Sequence, residues 1–300
     1  MPELRPAPEL PAWLRPLLPY PRGLYPLADG RALHFIDAGG GPTILLLHGN
    51  PTWSFLWRGV IARLPDMRCV APDLLGLGLS SKIPLREHSV DRHADALAEF
   101  VVGMGLARFV LVGQDWGGAL AAALGARVPE RVAGVVLGNT SVLVPTRPKG
   151  TWFHRFARLP VISDAAFRGL GFPQIHLGSV QGDRRSIAGD VARAYRWPLR
   201  RWGERDAPLA LARMVPSGPD HPSVPALARG EAWIRGFAGP IALVWGERDP
   251  ILGRALGRHV EAFPRASVRR TQAGHFLQEE VPDELAAAVR EVVERGAPAA

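Results

Sequence analysis

The stretch FVLVGQDWGGALAAALG, residues 109–125, most constrains what this chain can fold into. Four strand-forming residues run into a glycine-flanked turn, and an alanine-rich segment with the composition of a helix follows. The apolar residues of the first part are consecutive, so that strand needs cover on both faces. Such a corner belongs inside a sheet with helices packed on either side. At its apex stands Asp115.

The rest of the chain repeats the alternation. Strand patterns cover 32–39, 43–49, 67–73, 132–139, 241–250 and 266–272, with helical segments between several of them. Leu97, Phe100, Val101 and Met104 fall on one helical face at spacings of three and four. A last helix is expected from an Asp283 N-cap to Gly296. Strands alternating with helices imply an α/β protein with a mostly parallel central sheet and flanking helices. From Leu143 to about 228 the pattern changes to short helices broken by prolines, rich in arginine and aromatic residues. The expected organisation is a core from 1–142 and 229–300, with a helical cap insertion over 143–228.

Composition excludes some functions. No run of eighteen apolar residues exists, so no membrane-spanning helix is expected, and the proline-punctuated N-terminus lacks a signal peptide's apolar stretch. Cys69 is the only cysteine, which rules out an internal disulfide and fits a reducing cytoplasm. The net charge of +8 raises the question of a nucleic-acid partner. Its basic residues are scattered and, apart from Lys82 and Lys149, are arginines, as a GC-rich genome would also produce. The densest run, RAYRWPLRRWGER (193–205), reads more simply as a solvated helix with snorkelling arginines. Neither a nucleic-acid nor a membrane partner is expected.

The spacing of Gly113-Gln114-Asp115-Trp116-Gly117 is that of the G-x-S-x-G elbow, in which a strained turn lifts a nucleophile above a sheet. Asp115 could instead simply cap the following helix. His275, in TQAGHFLQEEVP, lies after the last strand, where a base would be needed. Two positions could supply the orienting acid, but the end of the 132–139 strand carries the neutral Asn139. Asp249 in WGERDP remains, though an Asp before Pro is also a helix start. Asn50, in HGNPTWSFLWR, could be a turn residue before Pro51 or a neutral donor to an anion. The Trp116 indole N–H could be a second donor, and His48 reads as structural. No metal-binding H-E-x-x-H or phosphate-binding G-K-[ST] motif is present, and GGGP (39–42) is a turn.

Together, HGNPTWSFLWR, GQDWGG, LGNTS, WGERDP and GHFLQEEVP resemble the haloalkane dehalogenases of the α/β-hydrolase fold. The likeness runs from about Gly23 to Ala287. It implies Asp115 as nucleophile, His275 as base, Asp249 as acid, and Asn50 with Trp116 as the halide-stabilising pair. Asn50 combined with a late Asp is similar to the less-studied third subfamily. The implied partners are a small halogenated aliphatic substrate, water and the halide product, with no metal or organic cofactor. Epoxide hydrolases share DWGG but use two cap tyrosines, and here only Tyr195 falls in the cap. A coelenterazine-type luciferase would carry Glu where Asn139 stands. A non-enzymatic scaffold would have lost the nucleophile, base or acid. Trp152, Phe153, Phe156, Phe167, Phe172 and Trp197 could line a tunnel, although aromatics so spaced are more often packing.

Overall fold

The computed structural model describes residues 3–145 and 152–296. One sheet holds β1 (Arg5–Pro6), β2 (Arg22–Pro26), β3 (Ala32–Ala38), β4 (Thr43–Leu47), β5 (Arg68–Pro72), β6 (Phe109–Asp115), β7 (Val132–Thr140), β8 (Ile241–Gly246) and β9 (Ser267–Thr271). Their order is β1-β2-β3-β5-β4-β6-β7-β8-β9. The pairings among β1, β2, β3 and β5 are antiparallel, and all later pairings are parallel. The continuous apolar runs are explained by this position. Leu45, Leu47, Phe109 and Leu111 enter the core on one side of the sheet. Ile44, Leu46, Val110 and Val112 enter the core on the other. Side chains alternate across a strand, so a strand with cover on both faces must be apolar throughout.

The helices are α1 (Arg58–Ile61), α2 (Val90–Gly103), α3 (Trp116–Gly125), α4 (Trp152–Ala157), α5 (Ile162–Asp164), α6 (Gly189–Arg196), α7 (Asp206–Met214), α8 (Val224–Gly236), α9 (Leu256–Ala262) and α10 (Pro282–Gly296). A wider π-type turn over Ala165–Gly169 continues α5. Leu97, Phe100 and Val101 are buried from α2, while Met104 lies at its C-cap, half-buried.

Two expectations change. The last helix starts at Pro282, so Asp283 is not its N-cap; it sits in the first turn and pairs with Arg63. Proline suits that first turn because its missing N–H has no helical partner to lose. Helix α8 runs through the expected boundary at 228 and packs on α3. Gly230 permits that approach, since a β-carbon there would lie 3.0 Å from the Ala123 amide nitrogen. Strands β1 and β2 are absent from the sequence reading because Pro6 and Pro26 interrupt the alternation; an edge strand and a strand end tolerate proline. Lys149 lies outside the described residues.

Candidate active site

Strand β6 ends at Asp115, whose backbone turns into the left-handed half of conformational space at φ 52° and ψ −126°. For a residue with a β-carbon this is strained, and such strain gathers at functional sites. The surrounding glycines make the turn possible. A β-carbon on Gly117 would sit 2.0 Å from the Leu47 carbonyl oxygen, and one on Gly49 would lie 2.4 Å from Asp115 Oδ1. The Asp115 side chain makes no capping bond to α3. Its Oδ1 instead accepts the Asn50 amide at 2.8 Å, and the Trp116 amide supplies a further backbone hydrogen bond. The capping alternative therefore fails here.

The other carboxylate oxygen, Oδ2, lies 3.6 Å from His275 Nε2. His275 Nδ1 is 2.9 Å from Asp249 Oδ2. The remaining Asp249 oxygen accepts the Ile251 amide at 2.7 Å, so Asp249 closes its own turn while facing the histidine. The three side chains come from the ends of β6, β8 and β9, where a mostly parallel sheet gathers its C-terminal loops.

Burial pushes the Asp115 carboxyl above its ordinary pKa, and repulsion from Asp249 adds to this against the pull of His275 and the two amides. For His275, burial disfavours the imidazolium. The charge and hydrogen bond of Asp249, with the charge of Asp115, outweigh that and hold its pKa above the ordinary value. The result is a buried imidazole whose proton affinity depends on two carboxylates.

Residues that the sequence reading passed over hold this geometry. Asn139 Nδ2 donates to the Gly274 carbonyl at 2.8 Å, while its Oδ1 accepts the Gly246 amide at 2.8 Å. A neutral side chain at the alternative acid position thus clasps the Asp249 loop to the His275 loop. Gln114 donates to the His275 carbonyl at 3.0 Å, and the Val180 carbonyl of the insertion accepts the His275 amide at 2.9 Å. Only the adjacency of Gln114 to Asp115 and the strand-end position of Asn139 hinted at these roles. His48 is structural, as expected: it is buried, and its Nε2 accepts the Leu74 amide at 2.9 Å.

Asp115 and His275 open onto a cavity of about 370 Å³ that Asn50 and Trp116 also line. Asn50 donates one N–H to the Pro208 carbonyl at 3.0 Å, and its carbonyl oxygen is buried without a partner. Among the described residues its second N–H makes no hydrogen bond. The insertion roofs the cavity with Phe153, Phe172, Leu177, Val180, Ala212 and Val215. Of the other aromatics singled out, Phe167 and Phe156 pack in the small core of the insertion, and Trp197 lies against Trp53. The side chain of Trp152 lies outside the described residues. Tyr195 is buried beneath the roof, where its hydroxyl bonds the Glu279 carboxylate. Tyr20 and Tyr25 donate to the carbonyls of Arg58 and Glu99. No tyrosine lines this cavity among the described residues, and its wall also carries His154 and His176.

The family model for the α/β hydrolase fold matches residues 42–282. The chain is 36% identical over 279 residues to haloalkane dehalogenase 2 of Mycobacterium tuberculosis (strain ATCC 25618 / H37Rv), spanning 92% of this chain and 96% of that protein. It is 28% identical over 280 residues to a cis-3-alkyl-4-alkyloxetan-2-one decarboxylase of Shewanella oneidensis, spanning 90% and 87%. The crystal structure of haloalkane dehalogenase DbeA from Bradyrhizobium elkani USDA94 superposes with a TM-score of 0.81 at 27% identity, covering 91% of this chain and 99% of that one. With matches of this length to both the fold and a named enzyme group, the chain belongs to the haloalkane dehalogenase family of the α/β-hydrolase fold.

Proposed function

We propose that the protein hydrolyses carbon–halogen bonds of small haloalkanes, giving an alcohol, a halide ion and a proton. The observation that carries this reading is the division of labour on Asp115. One oxygen accepts the Asn50 backbone amide, and the other is free to attack and faces His275. In the first step Oδ2 displaces halide in line from an sp3 carbon; the C–O bond forms as the C–X bond breaks, and the halide leaves with the electron pair. The second Asn50 N–H and the Trp116 indole N–H stabilise the departing charge in a cavity with largely apolar walls. In the second step His275 takes a proton from water, which attacks the Asp115 ester carbonyl, and the alcohol departs. The amides of Asn50 and Trp116 then stabilise the oxyanion on Oδ1.

Esterification removes the Asp115 charge, one of the causes that raise the His275 pKa. His275 therefore becomes easier to keep neutral at the moment it must act as base. Asp249 orients it and stabilises the imidazolium that forms. Asp115, His275, Asp249 and water suffice for both steps, so the reading includes no cofactor. It assigns residues 143–228 as the cap that sets substrate range.

The test is to incubate purified protein with 1-bromobutane, 1,2-dibromoethane, styrene oxide and a cis-3-alkyl-4-alkyloxetan-2-one. Halide, diol and carbon dioxide are then measured. Halide release from the bromoalkanes, lost in Asp115→Asn, is the expected result. Diol without halide, or carbon dioxide released faster than halide, would overturn it.

A further inference from the structure

We infer that the outer face of the helical insertion docks on an anionic phospholipid bilayer. The sequence reading expected no membrane partner, and the distribution of surface residues argues otherwise. Residues 143–228 carry 13 of the 36 basic residues but 6 of the 28 acidic ones. Nearly all of the net charge of +8 therefore resides in this segment, and the remaining 214 residues are close to neutral.

The same segment holds six of the ten large apolar side chains that are exposed among the described residues; the other four, Leu4, Val102, Ile251 and Val268, are scattered over the rest of the chain. Val161 is 78% exposed and Leu170 74%, and Leu159, Ile162, Ile175 and Trp202 are also exposed. Clustered exposed apolar residues mark interaction surfaces, whereas scattered ones carry no meaning. These are clustered. Leu159, Val161 and Ile162 lead into the helical segment 162–169, which is about 12 Å long. Leu170 ends it, with its amide bonded to the Ala165 carbonyl. Beside that end, Trp202 packs against Gly169, where a β-carbon would lie 3.2 Å from the indole. Two residues beyond Leu170, Phe172 lines the cavity, so the patch reaches the cavity wall.

Arginines flank it. Arg196, Arg200 and Arg201 are exposed, and among the described residues none pairs with a carboxylate. Aliphatic side chains with a tryptophan and unpaired arginines suit the boundary between acyl chains and anionic headgroups. A single-stranded nucleic acid would require several exposed aromatics for base stacking. Here Trp202 is the one large exposed aromatic among the described residues. The inference does not depend on the proposed dehalogenation, because its readout is binding alone.

The experiment is co-sedimentation of the full chain with vesicles of phosphatidylcholine alone and of phosphatidylcholine with phosphatidylglycerol, at low and high salt. Binding to the anionic vesicles is expected, weakened by salt and absent from pure phosphatidylcholine. Val161→Ser/Leu170→Ser/Trp202→Ser and, separately, Arg200→Glu/Arg201→Glu should each weaken it at least tenfold with little change in melting temperature. Failure to sediment with anionic vesicles overturns the inference, as does undiminished binding by both variants. So does tighter binding to a single-stranded RNA that displaces the vesicles, or a patch-dependent dimer that ignores them. If the serine variant is unfolded, the charge-reversal variant decides.

Discussion

The floor and the roof of the cavity are built on opposite principles. On the floor, Asp115, His275 and Asp249 stand at strand ends. Their oxygens and nitrogens are tied to the backbone and to one another, and Asn139 and Gln114 lock the loops that bear them. The roof is short helices and 3-10 turns, with its own small core around Phe167 and apolar residues left exposed. A group that must react is held rigidly, whereas a surface that selects and admits ligands tolerates looser construction. Chemistry should therefore fail sharply when the floor is altered, and only shift when the roof is.

The largest effect is expected from Asp115→Ala, which removes the carboxylate proposed to displace halide. Halide release should fall by roughly 10⁴-fold or more, measured by halide assay. Next, His275→Phe should release about one halide per enzyme and then stop. Intact-protein mass should show one alkyl group in place of a proton on Asp115, and an unchanged mass would count against the two-step scheme.

Asp249→Asn should slow ester hydrolysis by on the order of 10²–10⁴-fold through lost orientation of His275. It also removes the leading cause raising the His275 pKa, so the acid limb of the remaining activity should move to lower pH. A limb that stays in place would separate the two residues functionally. Trp116→Phe keeps an aromatic side chain but deletes the indole N–H with its pyrrole ring, and should cost about 10- to 100-fold in the alkylation step while leaving ester hydrolysis unaffected.

On the roof, Phe172→Leu should alter KM for long against short bromoalkanes only a few-fold, with the ester hydrolysis rate constant. A collapse of hydrolysis in that variant would erase the contrast between floor and roof.

The smallest effect concerns stability. His88 Nδ1 and His93 Nε2 lie 3.1 Å apart in the core. Burial lowers the His88 pKa to about 4 and that of His93 well below the ordinary value of 6.5. In the unfolded chain both take up a proton near pH 6.5, while in the folded chain they do not. The stability they contribute is thus complete above that pH and declines as the pH falls towards 4, by at most about 1.4 kcal/mol per group per pH unit. Melting temperature should drop between pH 7 and pH 5, and His93→Gln should flatten that slope.

Much of the floor was legible in the sequence because its constraints are local. Asp115 is marked by the glycines its turn demands, and His275 by its place after the last strand. The Asn139 clasp was not legible, because its two partners lie 107 and 135 residues further along the chain and are backbone groups without a signature. Nor was the fate of Tyr195. Its position within the insertion is consistent with a cavity acid, yet its ring turns inward to Phe55 and its hydroxyl to Glu279.

The alternation of the core strands and helices, the elbow and the identity of three polar side chains are thus properties of the sequence by itself, since each depends on spacing and on residues within a few positions. Tertiary structure alone decided that those side chains converge. It also decided that Asn50 spends one donor on Pro208 and that the roof's aromatics divide between cavity wall and internal packing. Those outcomes follow from the close packing of distant segments, and a linear pattern does not encode which neighbour claims a given face.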